Sequence, residues 1–237
     1  MRTKDTRLRD SASNNLEGCS LLAGLSLQDL RRNCPAATMH TFRHGSMIYT
    51  QGDRCNYFFC VLSGQVKLAR VDHAGNEFTT GFLTTGELFG SALGGSGSLE
   101  AQETATAKGT TSVWRVPAEE FRKLLLQHPS LCLRVVEALS QRQRQMERRL
   151  ECFAFKRTQA RLAQTLRELS GGFEARCEHG FGLHIRLTQQ ELADLVGASR
   201  PVVSTILNRL RKKGVLGYNR EYLCVHGIEA VERLIGT

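Results

Sequence analysis

With 237 residues the chain has room for one large or two modest domains, and its composition, 41% hydrophobic and 23% charged, is that of a folded globular protein. No apolar run approaches the roughly 18 residues that span a bilayer, and the opening MRTKDTRLRDSASNN lacks the apolar stretch of a secretory signal, so neither a membrane partner nor export is expected. The formal charge of +9 is uneven: residues 1–120 hold 12 basic and 12 acidic groups, and the whole excess falls later, which favours a polyanionic partner, nucleic acid first.

Residues 1–15 read as a flexible tail and Leu21 to Arg32 as a short helix. From about Thr41 to Val116, apolar runs such as YFFCVLSGQVKLARV and TTSVWRVP are punctuated by Gly45, Gly52, Gly64, Gly75, Gly81 and Gly86. Runs rich in Val, Phe, Tyr and Thr between such turn signals indicate an antiparallel sandwich or barrel. DHAGNE, residues 72–77, is a hairpin turn in which Gly75 is free to take positive φ. Residues 16–128 are thus one β-rich domain.

After Pro117 the chain becomes glycine-free and rich in Leu, Arg, Glu and Gln, which predicts helix, with Pro129 at the start of a long one. Cys132, Val136, Leu139, Gln143, Met146, Leu150 and Phe153 follow alternating spacings of four and three. That seam suits pairing with a second copy of the helix, with Gln143 restraining the register. A helix lying on its own domain is the other reading. Residues 129–155 are therefore taken as a dimerisation helix and hinge.

The eight cysteines (Cys19, Cys34, Cys55, Cys60, Cys132, Cys152, Cys177, Cys224) include no C-x-x-C pair, so no close-spaced metal or redox site is expected. Without an export signal they point to the reducing cytoplasm, where they serve as small buried hydrophobes. No acid–base or nucleophile–base constellation converges anywhere, so the chain does not read as an enzyme.

Residues 156–237 hold the motif with chemistry. A helix, KRTQARLAQTLRELS, stops at Gly171-Gly172, a loop through His179 leads to the strand LHIRL, and then comes LTQQELADLVGASRPVVSTILNRL. Thr188 and Glu191 form a capping box, so a helix begins at Gln189. Ala193 is small, Gly197 suits a tight interhelical turn, and Ser199 is placed to cap a second helix. Val203, Ile206, Leu207 and Leu210 face inward at helical spacing, as in a helix-turn-helix. A plain αα-hairpin is the bland alternative, but it does not require this small residue, this glycine and these apolar positions together.

The outward residues of the second helix are Arg200, Pro201, Ser204, Thr205, Asn208, Arg211 and Lys212. With Thr188, Gln189, Gln190 and Ser199 they make the candidate DNA-binding set. N-terminal residues of such a helix meet base edges and later basic ones meet phosphate, so Arg200 suits the O6 and N7 of a guanine. Pro201 sits in the first turn, where its missing N–H is no loss. VLGYN and EYLCV then read as a β-wing turning near Asn219-Arg220, and Gly227 to Ile235 as a closing helix.

A glycine-punctuated β-roll, a long helix and a C-terminal winged helix-turn-helix, with GELFGSAL and LTQQELADLVGASRPVVSTILNRL as the strongest stretches, resemble the CRP/FNR superfamily of bacterial transcription regulators over residues 17 to about 226. The resemblance implies an α+β chain: a cyclic-nucleotide-binding-type β-roll (jelly roll), a dimerisation helix, and a winged helix-turn-helix on double-stranded DNA. It further implies a homodimer on a two-fold symmetric operator, RNA polymerase as a partner, and an effector in the β-roll acting through the long helix.

The effector pocket would lie at Gly90, Ser91, Gln102, Glu103, Thr104 and Met146. Cyclic-AMP binders have Phe-Gly-Glu and an Arg-Ser or Arg-Thr pair, whereas this chain has Phe89-Gly90-Ser91 and Gln102-Glu103-Thr104. The adenine-touching Thr-Ser appears as Met146-Glu147, and Lys108 is the only Lys or Arg between Arg70 and Arg115. A desolvated phosphate needs a guanidinium fork, so cyclic AMP is not the expected ligand. The iron–sulfur branch needs an N-terminal cysteine run that Cys19 and Cys34 do not supply, and Trp114 stands at its distant position. Haem ligation by His40, His44 or His73 stays open. Gly94 to Ser98 reads as a loop rather than an anion nest. Relatives open the reading helix Ser-Arg-Glu-Thr, whereas here it is Ser199-Arg200-Pro201-Val202.

The expectation is a homodimeric regulator gated by an effector other than cyclic AMP. A regulator with no small-molecule effector, or a cyclic-nucleotide-fold module docking protein or RNA, are the alternatives.

Overall fold

The glycine-punctuated runs fold as one antiparallel sheet because their apolar residues alternate between two sides of each strand. The computed structural model describes residues 4–7, 19–90, 100–171, 176–177, 180–183, 187–218, 223–226 and 228–235. The chain divides into two compact units, Met1–Arg142 and Gln143–Thr237.

In the first unit, β1 (Lys4–Arg7), β2 (Thr38–Phe42), β3 (Met47–Tyr49), β4 (Tyr57–Val71), β5 (Glu77–Leu83), β6 (Leu88–Phe89) and β7 (Thr104–Pro117) join in the order β1-β2-β7-β4-β5, with β3 also on β7 and β6 on β4. Along β4, Phe58, Cys60 and Leu62 enter one buried cluster, and Phe59 and Val61 the other. The long β4–β7 ladder shifts register between Val61 and Gln65, where Gly64 has φ +79° and a Cβ would stand 2.4 Å from the Thr110 carbonyl. The predicted hairpin closes around Asp72, whose carboxylate accepts the Ala74 and Asn76 amides at 2.8 and 2.9 Å.

Lys4–Arg7, expected in a flexible tail, instead pairs with β2 from Lys4↔Thr41 to Arg7↔Thr38. The other edge of β2 is taken by β7, so its remaining amides and carbonyls offer an open ladder, and a polar tetrapeptide can fill it without apolar side chains. The rest of that tail, residues 1–3 and 8–15, lies outside the described residues, as do Ser91 and the Gly94–Ser98 stretch.

Helix α1 (Leu27–Asn33) is held by the Ser26–Asp29 capping box. Helix α2 (Ala118–Gln127) ends at His128, and α3 (Pro129–Phe155) starts at the predicted proline. Leu131 and Val135 of α3 sink into the core cluster that also holds Cys19, Cys60 and Trp114. Within it, Cys19 Sγ lies 3.2 Å from Cys60 Sγ. Cys34 and Cys55 are buried too, so four of the cysteines act as small core residues.

The second unit contains α4 (Thr158–Gly171), β8 (Arg176–Cys177), β9 (Gly180–Leu183), α5 (Gln189–Val196), α6 (Arg200–Lys212), β10 (Leu216–Tyr218), β11 (Leu223–Val225) and α7 (Ile228–Ile235). Its sheet runs β10-β11-β9-β8. The ladder with β11 engages Phe181 and Leu183 opposite Val225 and Leu223, so β9 contains the first residue of the expected strand LHIRL and begins before it. Residues 184–186, His179 and the wing turn at Asn219-Arg220 lie outside the described residues.

Candidate nucleic-acid interface

Thr188 Oγ1 accepts the Glu191 amide at 3.1 Å, and Glu191 Oε2 accepts the Thr188 amide at 2.9 Å. This reciprocal cap opens α5 as predicted. Gly197 then takes the left-handed conformation (φ 62°, ψ 51°) and turns the chain into α6. Ser199 occupies the N-cap position of α6, but its side chain makes no capping bond, so the expectation that it caps this helix is corrected. Its extended backbone (φ −74°, ψ 147°) and Pro201 at N2 start the helix instead, since proline arrives with helical φ and no amide to satisfy.

Helix α6 has two unlike sides. Val203, Ile206, Leu207 and Leu210 are buried in a cluster with Leu162 and Leu166 of α4 and Leu192 and Val196 of α5. Opposite them Arg200, Pro201, Thr205, Arg211 and Lys212 are exposed, with Ser204 and Asn208 half-buried at the margin. Burying four apolar side chains at roughly 1.5–3 kcal/mol each anchors the helix and leaves the other side for a partner. The polar groups are partly engaged already: Thr205 Oγ1 donates to the Pro201 carbonyl at 2.9 Å, and Gln190 Nε2 donates to Asp194 Oδ1 at 2.8 Å. Gln189 is half-buried. Val202, absent from the outward set read from the sequence, is 44% exposed beside fully buried Val203. The basic last turn (Arg209, Arg211, Lys212) places cations at the negative end of the helix dipole.

Two family models match the chain: a cyclic nucleotide-binding domain over residues 39–128 and a Crp-like helix-turn-helix domain over residues 160–234. The chain is 30% identical over 190 residues to the global nitrogen regulator of Nostoc sp., a match spanning 79% of this chain and 85% of that relative. The chain belongs to the CRP/FNR family of transcription regulators. Among its CRP/FNR relatives is the cAMP-activated global transcriptional regulator Vfr of Pseudomonas aeruginosa, 29% identical over 77% of this chain and 86% of Vfr. Two solved structures share the fold: a CooA mutant from Carboxydothermus hydrogenoformans (TM-score 0.72, 21% identity, 99% of this chain and 98% of that one) and the c-di-GMP responsive regulator CLP of Xanthomonas campestris (TM-score 0.69, 22% identity, 85% and 100%). The relatives are regulators rather than enzymes, and the helix-turn-helix of a CRP/FNR regulator binds DNA. No helix among the described residues is long and apolar enough to cross a membrane.

In this CRP/FNR regulator the expected effector residues have unlike surroundings. Gly90 has φ +107°, and a Cβ there would stand 2.5 Å from the Tyr57 carbonyl. Thr104 is buried and its hydroxyl accepts the Gln51 amide at 3.0 Å. Gln102 is exposed, and Met146 belongs to the second unit. Glu103 is the chemically unusual member. Burial pushes its carboxyl above the usual carboxylate range, while Arg142 of α3 and Arg70 of β4 pull it back. Neither arginine lies within the segment between Arg70 and Arg115, since one bounds it and the other comes from a helix remote in sequence. Tyr49 is buried, and burial and Glu103 push its phenol upward while the Gly90 backbone beside its hydroxyl opposes them.

Of the histidines, His40 is buried with Nε2 2.8 Å from Thr38 Oγ1, His44 Nδ1 accepts the Gly109 amide at 3.0 Å, and His73 is exposed. Among the described residues no three His, Cys, Asp or Glu side chains gather as metal ligands would.

The seam of α3 is exposed from Cys132 through Val136 (53%), Leu139, Gln143, Met146 and Leu150 (68%). Gln143 Nε2 donates to Glu147 Oε1 at 2.8 Å. Phe153 departs from the rest: its ring lies against Gly197, with the Arg161 guanidinium 5.3 Å from its centroid. Arg161 also donates to the Gly197 carbonyl at 3.2 Å. The end of the seam is therefore engaged with the helix-turn-helix of its own chain, a contact that no sequence period signals.

Proposed function

We propose that this regulator acts as a homodimer, paired along the α3 seam, that reads a two-fold symmetric operator with one α6 from each copy. The observation that carries the reading is the two-sidedness of α6: four apolar residues anchor it, and Arg200, Arg211 and Lys212 stand exposed on the other side. Arg200, at the N-terminal end, takes the O6 and N7 of a guanine, and Arg211 and Lys212 take phosphates. The seam supports pairing because Val136, Leu139, Met146 and Leu150 are large apolar residues left about half exposed or more.

The effector in this reading is not cyclic AMP, although the names of several relatives carry that ligand. In the sequence Ser91 falls where cyclic-AMP binders carry a ribose-binding glutamate, and Gly90, Gln102, Glu103, Thr104 and Met146 are the other candidate effector residues. Arg142 ties this region to α3, the helix that would transmit a change. RNA polymerase is the further partner, and the cytoplasm the compartment.

Operator selection from random duplexes tests the proposal, followed by gel shifts at two salt concentrations with and without nucleotides. A selected two-fold symmetric duplex, bound by a dimer and weakened by salt through counterion release, is the expected result. Failure of every selected duplex to outcompete random DNA contradicts it.

A further inference from the structure

Resting on the reading of α6 as the DNA-reading helix, we infer that its front is built to recognise a pyrimidine C5-methyl group, that of thymine, beside the guanine taken by Arg200. Four observations converge. Val202 is 44% exposed, whereas its neighbour Val203 is fully buried, so Val202 stands outside the core cluster of its own unit. A β-branched residue on an exposed helix surface is also a weaker helix former than alanine, so local structure does not account for it. Pro201, exposed next to it, offers a ring without a donor or acceptor. Thr205, one helical turn after Pro201, donates its hydroxyl proton to the Pro201 carbonyl at 2.9 Å, so it has no donor left for a base.

Arg200 is therefore followed in the first turn by two exposed apolar side chains, where a base-reading helix commonly carries polar groups. In the major groove the only apolar feature that distinguishes one base pair from another is the C5-methyl of thymine, the remaining edges being donors and acceptors. A polar edge facing Pro201 and Val202 would lose its water without gaining a partner, so the same surface that favours a methyl selects against cytosine and purines.

The test uses the full-length protein and the operator it selects. Each thymine of the half-site is replaced by uracil, which removes one methyl and leaves the Watson–Crick pair intact. At the pair next to the Arg200 guanine, uracil is expected to weaken binding about four-fold in one half-site and about fifteen-fold in both, the value of one buried methyl-sized group. Val202→Ala, a substitution that keeps the helix, should bind the uracil duplex as the unaltered protein does and lower the thymine-to-uracil ratio towards one; Pro201→Ala provides a second variant. Placing 5-methylcytosine against cytosine at the same position separates the methyl from the identity of the pair, and the methylated duplex should bind more tightly. If uracil at every half-site position leaves affinity within two-fold, or the ratio persists in Val202→Ala, the inference is overturned while the DNA-reading function stands. If no duplex is selected at all, that function fails and the inference with it.

Discussion

The ring of Phe153 lies over Gly197, the left-handed residue between α5 and α6, so closely that a Cβ on Gly197 would stand 2.2 Å from Phe153 Cε1. Gly197→Ala therefore meets two obstacles, a φ of +62° and the ring. It should destabilise the second unit by roughly 2–4 kcal/mol. In a Phe153→Ala background the ring is gone, and the same substitution should cost only the left-handed strain, about 1–2 kcal/mol. Denaturant unfolding of the four proteins in this cycle measures the coupling, and strictly additive losses would contradict the contact.

The caps of the two helices should behave differently. Thr188→Ala breaks a bond made to the Glu191 amide and should cost about 0.5–2 kcal/mol. Ser199 makes no capping bond, so Ser199→Ala should change stability by no more than about 0.5 kcal/mol. Equal losses in urea unfolding would mean that Ser199 does cap α6.

Glu103 gives the first unit a pH signature. Burial raises its carboxyl above the unfolded value, with Arg142 and Arg70 opposing. A carboxyl raised in the fold favours the folded state only while protonated, below its unfolded pKa of about 4.3, and that contribution is lost as pH rises through the folded value. Glu103→Gln should accordingly raise the melting temperature at pH 7, with the gap closing as pH falls through the carboxylate range. A gap independent of pH would show that the carboxyl is not strained by burial.

Local chemistry made much of this molecule legible. Thr188 and Glu191 announce a helix start in four residues, Gly197 a left-handed turn, and Val203 to Leu210 a buried stripe, because each depends on neighbours within a turn or two. Hidden features depend on long-range partners. Lys4–Arg7 has no apolar alternation and becomes a strand only because one edge of β2 is open. The place of β9 is set by its register with β11, forty residues away. Arg70 and Arg142 reach Glu103 from β4 and α3, and Phe153 meets Gly197 across 44 positions of chain, so no window of sequence contains either relationship.

The central claim, that α6 reads bases through Arg200, is tested most directly by comparing Arg200→Ala with the unaltered protein on the selected operator and on every single-base variant of it. The account predicts a loss of about 1–3 kcal/mol on the operator, with preference vanishing at one guanine per half-site and surviving elsewhere. Lys212→Ala, as a phosphate contact, should weaken all duplexes alike and shallow the salt dependence by about one counterion. An Arg200→Ala protein that loses the same affinity on every sequence, with its guanine preference intact, would contradict the account.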